Sequence, residues 1–411
     1  MATKVKLFLS IAIFCFNSCA TKSQEQVQKI PTLFQNEQII TGAERISTYL
    51  PILKGKTIGM VVNQTSIVGK KQTHLVDTLR SLGVNIKVIF APEHGFRGKA
   101  DAGEHVDNTV DAKTGIPIVS IYGKKRKPDA TDLAGVDVLL FDIQDVGVRF
   151  YTYISTLQET MEVAAEYKLP FLILDRPNPN GHFVDGPILD KQFKSFVGMQ
   201  AVPIVYGMTI GEYATMLNTE GWLANNAKCN LQIINCANYS HKSFYELPIK
   251  PSPNLPNAKA IYLYPSVCFF EGTDISCGRG TEKQFQVYGA PKYAANKASF
   301  TFTPKPNEGA KEPYHNGKVC NGKDLSILTI KELQNLKKVD ISYLMDAYAN
   351  YATKDSFFLK GNFFEKLSGT ADFRQQIKEQ KSAAEIKLTW QKGINAFKLI
   401  RKKYLLYADF E

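Results

Sequence analysis

Three observations predict a doubly wound α/β fold for this chain: short unbroken apolar runs, helices with a single apolar face between them, and chemistry-bearing polar residues directly after several runs. An apolar run without alternation reads as a strand covered on both faces, and in a parallel sheet the segments beyond the strands' carboxyl ends line the ligand crevice. A length of 411 residues corresponds to about two or three domains, and 44% hydrophobic with 22% charged residues is a globular composition with ample core.

The chain starts with Lys4 and Lys6, an apolar run from Leu7 to Phe16, and then Phe16-Asn17-Ser18-Cys19. This is the pattern of a secretory signal, too short for a spanning helix, and its end resembles a bacterial lipoprotein signal with Cys19 lipidated. Residues 1–18 are therefore expected as a signal peptide and 19–36 as the lipidated cysteine and a polar tether. Export places the protein in the periplasm or elsewhere in the cell envelope, held to a membrane by that anchor.

Residues 37–190 read as a Rossmann-like domain. Residues 56–64 are its first strand, and 74–82 a helix with Leu75, Leu79 and Leu82 on one face and Gly83 as its stop. Further strands follow at 86–90, 116–121, 136–141 and 170–174, with a helix over 154–167 between the last two. Beyond residue 190 the rhythm changes: a strand at 203–206, a helix at 209–217 capped by Thr209, a strand at 229–235, and a long irregular, motif-rich stretch over 251–291. An alternating strand at 300–304 and an amphipathic helix over 382–401 complete residues 191–411, expected as a second, smaller α/β domain.

A net charge of +11 suits an anionic partner such as cell wall or phospholipid headgroups, and equally general solubility. No Lys/Arg block with interleaved aromatics suggests nucleic acid. Cys229, Cys236, Cys268, Cys277 and Cys320 are odd in number and cannot all pair with one another. If Cys229 and Cys236 end one strand, they lie about 23 Å apart at its rise per residue, which forbids a bridge. They show no metal-ligand spacing.

The densest chemistry lies in 91–105, Ala-Pro-Glu-His-Gly-Phe-Arg-Gly-Lys-Ala-Asp-Ala-Gly-Glu-His, just after a strand. Glu93 would stand at the lip of the crevice, where a partly desolvated carboxyl suits a general acid. It could equally tie the loop to Arg97 or His94. His94 and His105 with Asp101 or Glu104 match no known metal spacing, so no metal is expected. Asp142, Gln144 and Asp145 follow the fourth strand, and the two carboxylates could assist Glu93, hold sugar hydroxyls, or cap and pair with Arg149. Arg149, beside Tyr151 and Tyr153, could grip an anionic sugar substituent while the rings stack a pyranose, or form a buried ion pair. Asn178 follows the fifth strand, and Glu271, Thr273, Arg279 and Thr281 lie in a Gly-rich segment that reads as a second substrate loop. No Gly-x-Gly-x-x-Gly follows a strand and no P-loop occurs, so no nucleotide cofactor is expected. A Gly-x-Ser-x-Gly elbow is also lacking, which disfavours a serine hydrolase. Acids, amides and aromatics together suit glycoside hydrolysis.

Several of these motifs occur in one order: residues 91–98, 141–153 (Phe-Asp-Ile-Gln-Asp-Val-Gly-Val-Arg-Phe-Tyr-Thr-Tyr), 175–179 (Asp-Arg-Pro-Asn-Pro), 271–273 (Glu-Gly-Thr) and 278–281 (Gly-Arg-Gly-Thr). Together they resemble the NamZ-like exo-β-N-acetylmuramidases over nearly the whole mature chain. The resemblance implies a peptidoglycan hydrolase that releases N-acetylmuramic acid (MurNAc) from non-reducing ends, for example of MurNAc-GlcNAc. It also implies a Rossmann-like domain with a second α/β domain closing a cleft, and a catalytic glutamate that maps onto Glu93. The resemblance does not fix the partner of Glu93; Asp142 or Asp145, after the fourth strand, is expected to assist it. Arg149 or Arg279 is expected at the lactyl carboxylate of muramic acid, by charge complementarity. A bilobal lipoprotein that binds wall sugars without cutting them is the competing expectation; an amidase or esterase would need a nucleophile or metal that the sequence does not offer.

Overall fold

The apolar runs assemble into one seven-stranded sheet. The computed structural model describes residues 1–2, 38–96 and 108–411; Cys19 with the signal and most of the tether, and Arg97, Asp101, Glu104 and His105, lie outside the described residues. In chain order the strands are β1 (Thr57–Val62), β2 (Ile67–Val68), β3 (Thr73–His74), β4 (Asn85–Ala91), β5 (Thr109–Val110), β6 (Pro117–Ser120), β7 (Val138–Asp142), β8 (Pro170–Leu174), β9 (Asn230–Ile234), β10 (Val287–Ala290), β11 (Phe300–Phe302) and β12 (Cys320–Asp324). The main sheet runs β5-β6-β4-β1-β7-β8-β9, all parallel except β5. Its six parallel strands follow the doubly wound order in which the chain leaves β1 toward one edge and returns to build the other, opening a crevice at their carboxyl ends.

The helices are α1 (Ile46–Leu53), α2 (Leu75–Ser81), α3 (Ala130–Leu133), α4 (Tyr153–Glu166), α5 (Ile210–Thr219), α6 (Ala258–Val267), α7 (Ile330–Leu336), α8 (Ser342–Asn350), α9 (Phe363–Ser368), α10 (Asp372–Lys378) and α11 (Ala383–Arg401). Alternation along the strands divides the core between two faces. Ile58, Met60 and Val62 of β1 join Ile89, Leu140 and Leu172 beneath Tyr49 and Leu53 of α1 and Leu75 and Leu79 of α2. Val61, Phe90, Phe141 and Phe171 face the other way, onto Leu157 and Met161 of α4. That second core continues unbroken through Met216, Ile261, Leu344 and Trp390, so the C-terminal half is packed onto this face of the sheet. Each such side chain withdrawn from water contributes roughly 1.5–3 kcal/mol.

Four sequence expectations meet a different outcome. The strand at 229–235 belongs to the main sheet, because β9 pairs with β8 from Pro170↔Asn230 to Leu174↔Ile234; the sheet thus runs past residue 190. Residues 203–206 form no strand: Pro203 lacks a donor, Gly207 (φ 60°) turns the chain, and only Val205 makes isolated bridges, to Val148 and Asp185. The stretch 251–291 contains α6, capped by Asn257, which accepts from the Ala260 N–H at 3.0 Å. Pro265 disguises it; the Ile261 carbonyl that a proline leaves without its helical donor accepts instead from Asn180 Nδ2 at 3.3 Å. Finally, β12 is the centre of a small antiparallel sheet with β10 and β11 although Cys-Asn-Gly-Lys-Asp has weak strand propensity. Gly289 and Gly322 pair there so closely that a Cβ on either would strike the partner backbone.

Candidate active site

β4 ends at Ala91, and the next residues reverse sharply: the Gly95 N–H donates to the Pro92 carbonyl at 2.9 Å, with His94 (φ 69°) and Gly95 (φ 74°) both left-handed. A left-handed non-glycine residue stores strain that the surroundings must overcome, and such residues cluster at functional sites. The reversal leaves Glu93 half-buried on the wall of a cavity of about 550 Å³. Tyr122, just beyond β6, donates its hydroxyl to Glu93 Oε1 at 2.8 Å, and Thr152, the residue preceding α4, donates to Oε2 at 2.6 Å. Two hydroxyls thereby orient the Glu93 carboxylate, one on each oxygen.

Much of the remaining lining comes from the C-terminal half. Glu271, Thr273 and Arg279 belong to the lining, together with Tyr264, Phe270, Glu312 and Tyr314. Arg279 Nη1 pairs with Glu271 Oε1 at 3.1 Å and its Nη2 donates to the Gly309 carbonyl at 3.2 Å. Cys268 Sγ donates to Glu271 Oε2 at 3.4 Å, so both oxygens of this glutamate are also held. Among the described residues the lining carboxylates are Glu93, Glu271 and Glu312, and none is an aspartate. Aromatic rings, hydroxyls and these acids make a surface suited to an uncharged ring rimmed with hydroxyl groups.

Of the residues expected at the site, Glu93, His94, Tyr151, Glu271, Thr273 and Arg279 line the cavity. Arg97 lies outside the described residues, and the structure places the others away from the lining. Asp142 is fully buried beneath the sheet ends, where Arg176 clasps both its oxygens (Nε–Oδ1 2.5 Å, Nη2–Oδ2 2.9 Å). Burial raises its carboxyl against the opposing pull of Arg176, whose own guanidinium the same contact keeps charged. Asp145 is buried too, accepting from the Tyr206 hydroxyl and from the Gly147 N–H at 2.6 Å, and burial pushes its carboxyl up to about 6. Neither aspartate reaches the lining, nor does either pair with Arg149. Arg149 donates instead to four carbonyls, those of Pro187, Val202, Leu367 and Ser368, at 2.7–2.9 Å, and its burial lowers its pKa to about 9. It tethers the C-terminal half to the loops beyond β8 and presents nothing to the cavity.

Gln144 donates to the carbonyls of Asp145 and Pro177, Asn178 to that of Met208, and Thr281 to that of Gly278; all three shape loops away from the lining. The sequence reading passed over Tyr122, Arg126, Thr152 and Phe196, which do line it. Tyr122 follows a parallel strand by two residues, as Glu93 does, and Arg126 lies four residues further on. Among the described residues no group of three or more His, Cys, Asp or Glu is placed to hold a metal ion, and no helix is long and apolar enough to cross a membrane. All five cysteines from Cys229 onward are buried and free.

A doubly wound sheet whose strand-end acid faces a cavity walled by a second α/β half defines a cleft enzyme in which carboxylates act on a polar substrate. The family is fixed by comparison: residues 58–259 match the N-terminal and 262–407 the C-terminal domain model of "Exo-beta-N-acetylmuramidase NamZ", and this chain belongs to that family. The cavity takes Glu93, Tyr122 and Thr152 from the first matched region and Glu271, Arg279 and Tyr314 from the second. The chain is 35% identical, over 95% of each sequence, to the peptidoglycan beta-N-acetylmuramidase NamZ of Bacillus subtilis (strain 168). Among solved structures it is similar to a DUF1343 family protein of Bacteroides fragilis NCTC 9343, with TM-score 0.83, 49% identity, and coverage of 90% of this chain and 99% of that one. A second DUF1343 family protein of that strain is 28% identical with TM-score 0.72 and the same coverage.

Proposed function

We propose that this protein is an exo-acting glycoside hydrolase that removes N-acetylmuramic acid from the non-reducing ends of peptidoglycan fragments, with Glu93 as the general acid. The observation that carries the reading is the placement of Glu93 in a chain of the exo-β-N-acetylmuramidase family: at a strand's carboxyl end, on the cleft wall, steadied by the Tyr122 and Thr152 hydroxyls. Cleavage of a glycosidic bond requires one carboxyl to protonate the departing oxygen and another group to activate water or attack the anomeric carbon. Glu271 supplies the second carboxyl in this reading, since it lines the same cavity, held by Arg279, and Asp142 and Asp145 are locked away. A chromogenic MurNAc glycoside tests it: hydrolysis by the wild type and its near-complete loss in Glu93→Gln are expected, and an equally active mutant removes Glu93 from the role.

Export and lipidation at Cys19 belong to the same reading and rest on the N-terminal pattern alone. Wall fragments as substrate and a protein tethered in the envelope are mutually consistent. Fatty-acid labelling of the expressed full chain should mark the wild type and not Cys19→Ala; an unlabelled wild type removes the anchor.

A further inference from the structure

Among the described residues of the lining, Arg126 is the cation without an ion-pair partner. It is exposed, it lines the cavity, and its guanidinium lies 4.5 Å above the Phe196 ring. It makes no hydrogen bond or ion pair with any residue described. Its neighbour Lys125, by contrast, is spent on Asp129 and Asp132 at 2.6 and 2.5 Å. Arg279, the other guanidinium in the lining, is committed to Glu271 and the Gly309 carbonyl. Glu159 on α4 is the acid on which Arg126 exerts its pull; burial outweighs that pull and raises the Glu159 carboxyl to about 7, so near neutrality part of its charge is missing. Arg126 therefore brings its positive charge to the cavity with no salt bridge to any described residue.

Its position relative to Glu93 is set by two aromatic rings. Tyr122 donates to Glu93 and packs against Phe196 at 6.0 Å between centroids, and Phe196 carries Arg126. The Phe196 backbone is anchored in turn, its carbonyl accepting from Ser155 Oγ of α4 at 2.7 Å. Glu93, Tyr122, Phe196 and Arg126 form one continuous wall, with the acid at one end and the cation at the other. Muramic acid differs from glucosamine only by a lactyl ether on C3, two carbons from the anomeric centre. An acid for the glycosidic oxygen and a cation for the carboxylate thus stand on the same wall, linked through two aromatic rings. A guanidinium stacked on an aromatic ring is pre-oriented, and it binds a carboxylate through two parallel hydrogen bonds.

We propose that Arg126, oriented by Phe196, is the specificity-determining residue that recognises the lactyl carboxylate of the terminal sugar. This rests on the muramidase reading. The experiment compares chromogenic β-glycosides of MurNAc and of its lactyl carboxamide, with wild type, Arg126→Gln, Arg126→Lys and Phe196→Leu. A charge-assisted hydrogen-bond pair predicts that Arg126→Gln lowers kcat/KM on MurNAc by about tenfold to a hundredfold, mainly through KM. The carboxamide glycoside, already slow with wild type, should be cut equally by both proteins. Arg126→Lys and Phe196→Leu should fall between, again only on the carboxylate substrate. Equal losses on both substrates, or none on either, overturn the proposal. If wild type cleaves neither glycoside, the muramidase reading itself falls. Calorimetry with free MurNAc and GlcNAc then still decides Arg126: loss of the MurNAc preference in Arg126→Gln supports it, and an unchanged preference rejects it.

Discussion

β4 and β7 flank β1 on either side, and each delivers an acid to the same edge of the sheet, Glu93 just past β4 and Asp142 at the last position of β7. Their fates differ through their partners. Glu93 meets two hydroxyl donors on the wall of an open cavity, so its carboxylate is oriented toward space that a substrate can enter. Asp142 meets a guanidinium on both oxygens and no solvent, and becomes a rivet between β7 and the segment after β8. Position at a strand end marks an acid as a candidate; the donor it finds there decides whether it does chemistry or holds the crevice in shape.

The largest test of this contrast replaces each acid. Glu93→Gln should cut kcat/KM on a MurNAc glycoside by about 10²–10⁴, the usual contribution of a general acid, with an unchanged urea midpoint. Asp142→Ala should do the reverse. Leaving Arg176 charged, buried and alone costs about 3–5 kcal/mol, read as a lower urea midpoint, while the folded fraction keeps its kcat. A stable but inactive Asp142→Ala protein would erase the distinction.

The same contrast explains what the sequence could disclose. The parallel sheet was legible because its strands are buried on both faces and therefore unbroken in hydrophobicity: residues 170–174 were placed without error. Glu93 was legible because polar residues after such a run have no place in a core. Whether Asp142 or Arg149 faced the cleft was not legible, since Arg176, the partner of Asp142, lies 34 positions along, and the carbonyls that hold Arg149 include Leu367 and Ser368 more than two hundred positions away. β12 was hidden for another reason: its pairing depends on the bare backbones of Gly289 and Gly322 meeting, which no propensity records.

A smaller effect separates buried from cleft acids by pH. The Asp145 carboxyl is raised to about 6 by burial, against the lowering hydrogen bonds from Tyr206 and the backbone. Between the ordinary aspartate range and that value the folded state holds the proton more tightly than the unfolded chain does, so this group's contribution to stability declines as the pH rises through that window. Asp145→Asn removes the dependence. Urea unfolding at several pH values should therefore show the stability of wild type relative to Asp145→Asn falling by about 3 kcal/mol at most from pH 4 to 7. A difference that stays flat, or rises with pH, contradicts the burial argument. The subtraction is needed because Asp175, likewise raised to about 6, adds a slope of the same sign to both proteins.

The finest test acts on hydroxyls that each contact an acid. Tyr122→Phe removes the donor to Glu93 Oε1 but keeps the ring against Phe196, and Tyr206→Phe removes a donor to Asp145 but keeps the ring beside Tyr213. A hydrogen bond to a charged group is worth about 1.5–3 kcal/mol, and only the part that changes between bound substrate and transition state reaches the rate. Tyr122→Phe should thus lower kcat by about tenfold with little change in KM or in the urea midpoint, since Thr152 still holds the other oxygen. Tyr206→Phe should leave kcat untouched and lower the midpoint, because Asp145 keeps only backbone donors. If both substitutions move the same observable, orientation by hydroxyls is not what distinguishes the cleft acid from the buried one, and the open cavity alone must account for the difference.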